Sequence, residues 1–123
     1  PDDAAQIQEA MTHTMEEGTG KAAQLDGYTS AGKTGTAEKL VGGRYSKSNH
    51  VGSFVCWAPA EPGVKPAAVA LIVVDDPTRN GHYGGTVAAP YVRDVLQFTL
   101  EHRGIPKTAG STALEPRARR SAR

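Results

Sequence analysis

An alternating stretch, residues 45–58, and an apolar run, 67–74, are separated only by a short link that begins Pro59-Ala60-Glu61-Pro62-Gly63. A parallel pair of strands needs a crossover of about a dozen residues or more, so this link predicts antiparallel strands. Within 45–58 the side chains alternate. Val51, Ser53, Val55 and Trp57 share one face, and Phe54, Cys56 and Ala58 share the other. The run 67–74 is apolar at every position, which predicts a central strand buried on both faces. Gly42-Gly43 predicts a hairpin turn. That turn would join 45–58 to the threonine- and glycine-rich stretch 28–40, a partly exposed strand.

Helical periodicity flanks these strands. Residues 2–17 carry Ala4, Ile7, Ala10/Met11 and Thr14/Met15 at three-to-four spacing, with Asp2 or Asp3 as cap and Met15 carrying the last buried turn. A short helical turn is expected over 21–25. A second helix is expected over 86–103, with Val87, Tyr91, Val92, Val95, Leu96 and Thr99/Leu100 on its stripe. Pro90 falls in its first turn, and Gly104 with Pro106 stops it. Helix, three strands, helix with short links reads as an α+β fold, an antiparallel sheet covered by helices.

The 123 residues suit one domain, with 38% hydrophobic and 22% charged residues. A net charge of +1 gives no field that would attract nucleic acid. From Lys107 onward there are one lysine, four arginines and one glutamate, so 107–123 is expected to be a disordered basic tail after a domain over 1–106. No stretch approaches the ~20 apolar residues that span a bilayer. The opening Pro1-Asp2-Asp3 suggests a processed or truncated chain. His13, His50, His82 and His102 show no ligand spacing with one another or with Cys56, the single cysteine, so neither metal nor cofactor is expected.

Gly27-Tyr28-Thr29-Ser30-Ala31-Gly32-Lys33-Thr34 fits the Gly-x4-Gly-Lys-Thr spacing of a phosphate-cradling P-loop. Such a loop needs a buried strand before it and a helix after it. Residues 18–26 cannot form that strand, and Gly35, Gly42 and Gly43 break up any helix. A nucleotide hydrolase is therefore the remote alternative. Read as an edge strand, the same segment suits acyl transfer. Lys33 supplies charge, Gly32 and Gly35 permit close backbone approach, and Thr34 and Thr36 offer hydroxyls to a substrate carboxylate.

Gly32-Lys33-Thr34-Gly35-Thr36-Ala37-Glu38-Lys39 resembles the third active-site motif of the penicillin-binding proteins. Tyr83-Gly84-Gly85-Thr86-Val87-Ala88-Ala89-Pro90 resembles the start of the C-terminal helix in their class B, monofunctional transpeptidases. Phe54-Val55-Cys56-Trp57-Ala58-Pro59 and Leu71-Ile72-Val73-Val74-Asp75-Asp76-Pro77 stand where that family has its next two strands. The resemblance covers residues 2–104. It implies a D,D-transpeptidase that cross-links peptidoglycan stem peptides through a serine acyl-enzyme and is inhibited by β-lactams. Lys33 and Thr36 would be its catalytic positions here, Lys33 supporting the charge network and the Thr36 N–H donating to the oxyanion. Thr34, Gly35 and Thr36 would bind substrate.

The family's Ser-x-x-Lys nucleophile helix and Ser-x-Asn loop have no counterpart. Ser30-Ala31-Gly32-Lys33 spends its lysine in Lys-Thr-Gly, and Ser46-Lys47-Ser48-Asn49 misses Ser-x-Asn by one position. The chain therefore reads as the C-terminal part of a transpeptidase domain, inert alone and partnered by the N-terminal remainder of its protein. The family also implies a membrane anchor in that remainder, work on the extracytoplasmic face of the bacterial inner membrane, and cell-division or elongation membrane proteins as partners. A β-lactam sensor or non-catalytic penicillin-recognising module is the alternative. Tyr83-Gly84-Gly85 reads as a tight turn with a mainly structural role.

Overall fold

In the computed structural model, which describes residues 2–107, Gly42 and Gly43 both take positive φ, 61° and 79°. Two consecutive left-handed residues make the tight turn whose twist suits antiparallel strands. The turn joins β1 (Ala31–Val41) to β2 (Arg44–Ala58), and β3 (Ala68–Asp75) pairs with the far side of β2. Both pairings are antiparallel, in the order β1-β2-β3, with an irregularity between Glu38 and Leu40. The α+β arrangement expected from the short links is the one adopted.

Register decides which face is core. Phe54 stands opposite Thr34 and Ile72, and Cys56 opposite Gly32 and Ala70. Phe54, Cys56 and Ala58 are fully buried and cluster with Met15, Val92, Leu96 and Leu100. Those partners come from α1 (Asp2–Glu16) and α3 (Ala89–His102), with a 3-10 turn at Lys21–Ala23 closing the corner. Each large apolar side chain withdrawn here contributes about 1.5–3 kcal/mol.

Three expectations need correction. β3 is not central: among the described residues it pairs only with β2, and Val69, Leu71 and Val73 are 68%, 62% and 56% exposed. Its apolar character on both faces is real, but helices cover only the face shared with Phe54. Second, the α1 stripe is displaced. Ile7 is exposed, as are Ala4 and Ala10, whereas Gln8, Met11 and Thr12 are partly covered and Met15 is buried. Polar contacts fix this rotation: the Trp57 indole N–H donates to Gln8 Oε1, and Gln8 Nε2 donates to the Ala60 carbonyl. Third, the helix expected over 86–103 is two pieces. A short α2 (Gly84–Val87) meets α3 at Ala88, whose φ of −120° breaks the path.

The α3 seam is narrower than its sequence stripe. Val92, Leu96 and Leu100 are buried, while Tyr91, Val95 and Phe98 face outward. Gly104, at φ 68°, ends the helix as expected. Lys107, assigned to the tail from sequence, is ordered against the body by ion pairs to Glu101 at 3.1 Å and Asp26 at 3.8 Å. The rest of that tail, 108–123, lies outside the described residues.

Candidate active site

β1 is an edge strand, and one side of it is where the predicted residues gather. At its start the edge is closed by α1, whose Thr14 hydroxyl donates to the Gly32 carbonyl. Beyond that point, among the described residues, no strand pairs with the edge. Strand alternation sends Lys33 to the face of Val55, and Thr34 and Thr36 to the face of Phe54 and Gly52. Even so, the Lys33 side chain bends over the edge. Its Nζ lies 3.2 Å from both the carbonyl oxygen and Oγ1 of Thr34. Gly32 and Thr34 thus turn carbonyls away from β2, and the two-residue alternation puts the Thr36 N–H on the same open edge.

On the helical side, the first residue of α2 completes the arrangement. The Gly84 N–H donates to Thr36 Oγ1 at 3.2 Å. Gly84 can lie there only because it lacks a side chain: a Cβ would come 2.0 Å from the Ser53 carbonyl oxygen and 2.8 Å from that of Gly35. Thr34, Thr36, Gly84 and Gly85, with Thr19 and Thr86, line a cleft of about 250 Å³ that Tyr83 borders. Gly35 lies against β2. A side chain there would begin 2.5 Å from Ser53 Oγ, so the missing Cβ leaves room for that hydroxyl.

The surrounding electrostatics are local. Lys39 bridges Asp75 at 2.7 Å and Asp76 at 3.1 Å, tying the far end of β1 to the end of β3. The hydrogen bonds to Asp75 and then Asp76 hold the Lys39 ammonium above its ordinary range. Those from Lys39 and then Asn49 hold the Asp76 carboxyl below its own. Burial pushes the Cys56 thiol up to about 12, partly offset by a hydrogen bond with Ser30. Cys56 is therefore a core residue and not a nucleophile at neutral pH. Among the described residues, no group of three or more His, Cys, Asp or Glu could hold a metal ion.

Lys33 sits within a strand, not at the mouth of a helix, so the P-loop alternative fails on geometry. The acyl-transfer reading fares better, because Lys33, Thr34 and Thr36 meet at one edge. Thr19, Thr86 and the cleft role of Tyr83-Gly84-Gly85 were missed. For Thr19 no local signal exists, since it reaches the cleft only because the turn after α1 packs against α2, its carbonyl oxygen 2.8 Å from where a Cβ on Gly85 would stand.

The sequence matches the family described as the penicillin binding protein transpeptidase domain over residues 1–97. It is 42% identical over 106 residues to a protein named probable peptidoglycan D,D-transpeptidase PenA from Neisseria flavescens, covering 85% of this chain and 26% of that protein. It is 41% identical over 100 residues to stage V sporulation protein D of Bacillus subtilis, covering 81% of this chain and 15% of that one. Among solved structures, the transpeptidase domain of Burkholderia pseudomallei penicillin-binding protein 3 superposes with a TM-score of 0.75 at 33% identity. That alignment covers 87% of this chain and 32% of that one. The chain spans about a quarter of the length of its Neisseria relative and less of its Bacillus one. An antiparallel sheet carrying Lys-Thr-Gly-Thr on its edge thus agrees with a match that takes in every element but the end of α3, and the chain belongs to the penicillin-binding protein transpeptidase family.

Proposed function

We propose that the protein carrying this chain is a class B peptidoglycan D,D-transpeptidase that cross-links stem peptides through a serine acyl-enzyme and is acylated by β-lactams. This chain supplies the substrate-binding strand of the site. One observation carries the reading: Lys33 Nζ folds over the β1 edge onto the Thr34 hydroxyl, on the edge that also presents the Thr36 N–H. Lys33 gives the cleft its positive charge and steadies the proton network of the nucleophile. Thr34 and Thr36 bind the carboxylate of a terminal D-alanine or of a β-lactam, the Thr36 N–H donates to the acyl oxyanion, and Gly35 keeps the strand open to the substrate. An extended stem peptide lies along the open edge as an added strand.

The nucleophile and the Ser-x-Asn element come from the remainder of the same protein. The exposed face of Val69, Leu71 and Val73 supports this, because an apolar sheet face of that kind is suited to a covering layer. None of the described helices is long and apolar enough to cross a membrane. The extracytoplasmic location, the anchor and any cell-division or elongation partners belong to that remainder. The test is labelling of the full-length protein with a fluorescent penicillin. Lys33→Ala slows acylation about a hundredfold if the lysine serves the chemistry, and undiminished labelling rejects its role. Acylation without release of D-alanine from stem peptide would instead indicate a β-lactam sensor.

A further inference from the structure

The segment 76–83, which carries the chain from β3 to α2, is held at both ends by one residue of β2. At its start the Asp76 N–H donates to the His50 carbonyl oxygen at 2.9 Å. At its end the His82 ring stacks on the His50 ring, with centroids 3.8 Å apart and planes inclined by 13°. The Tyr83 ring leans on His82, its centroid 4.4 Å away and its plane tilted by 35°. The next residue is Gly84, whose N–H reaches Thr36 Oγ1. Beside the stack lies a notch. A side chain on Gly52, which follows His50 on the same face, would begin 2.9 Å from the His82 carbonyl oxygen and 2.6 Å from Val87 Cγ2.

We infer that His50 is a positioning residue for the cleft: its ring buttresses the 76–83 segment and thereby sets the Gly84 N–H against Thr36. His50 is not among the residues that line the cleft, so it acts through His82 and the backbone that follows. Residues 79–81 are exposed and the segment has no regular structure, so anchors outside it must hold its far end in place. Gly52 allows the segment to approach the sheet, and His50 stops it from sliding along. The role belongs to the flat ring rather than to its nitrogens. Two imidazoles stacked face to face keep their nitrogen lone pairs in parallel planes, aimed at no common point. They can neither pass a proton between them nor share an ion in that geometry.

The inference rests on the transpeptidase reading only for its activity readout. In the full-length protein, His50→Ala speeds amide hydrogen exchange across 82–88 by about tenfold, the equivalent of losing one stacked pair. It slows acylation by a fluorescent penicillin by a similar factor, and His50→Phe restores both. His82→Ala removes the same stack from the exposed side and gives the same two changes if His50→Ala fails to fold. Unchanged exchange at 82–88 overturns the buttress, as does failure of the phenylalanine to restore it. Faster exchange with unchanged acylation overturns the link to Thr36. Should the wild-type protein not react with penicillin at all, the transpeptidase reading falls and the exchange comparison still decides the buttress.

Discussion

The Gly84 N–H lies 3.2 Å from Thr36 Oγ1, although 48 positions of sequence separate the two residues. The bond joins the start of α2 to the substrate edge of β1, so the hydroxyl that is to meet a carboxylate is already oriented from the helical side. Its proton is left free to point elsewhere, because the backbone amide occupies an acceptor site.

Thr36→Val keeps the shape and removes the acceptor, leaving the N–H of the buried Gly84 without its partner. Acylation of the full-length protein by a fluorescent penicillin should slow about tenfold, the scale of one lost hydrogen bond with its desolvation cost. Thr36→Ser should stay within about threefold of wild type. Equal rates in the valine and serine variants would show that the hydroxyl is idle.

Leu71→Asp distinguishes a solvated sheet face from a covered one. Leu71 is 62% exposed among the described residues, where a surface substitution would change stability by no more than about 0.5 kcal/mol. If the rest of the protein packs on this face, the variant should cost the full-length protein about 3 kcal/mol or more in denaturant unfolding. A change near zero would leave the face open to water.

Asp76 sets an acid limb. Its carboxyl is held below the ordinary range by hydrogen bonds from Lys39 and then Asn49. Its contribution to stability is therefore complete above the ordinary carboxylate range and is lost as pH falls through the depressed folded value. Asp76→Asn should lower the melting temperature at pH 7 and converge with wild type in strong acid. High salt should shrink the difference at pH 7, since the pair is solvent-exposed. A gap independent of pH would contradict the assignment.

Cys56, buried and with its thiol pushed up to about 12, should resist a thiol reagent such as Ellman's at pH 7.5. Full reaction should follow addition of denaturant. Rapid labelling of Cys56 in the native protein would mean that the sheet opens beneath α3.

Local chemistry was enough to determine several elements of this protein. The alternation within 45–58 grouped Phe54, Cys56 and Ala58 on one face of β2, because a strand's side chains switch sides at every residue; packing then chose that face as the core. Gly42-Gly43 named the hairpin turn, since a tight turn of this hand needs two positive φ angles. Lys33-Thr34-Gly35-Thr36 named the edge that carries the cleft. Tertiary packing decided the rest. An apolar run such as 67–74 reports that both faces are apolar, not which neighbours cover them, and among the described residues β3 pairs with β2 alone. The α1 rotation follows Gln8 contacts with Trp57 and Ala60, residues about fifty positions away that no helical period can register. The meeting of Thr36 with Gly84 and of His50 with His82 arises only when the 76–83 segment folds back over β2. Periodicity encodes which side of an element is buried; the partner that buries it is a property of the assembled chain.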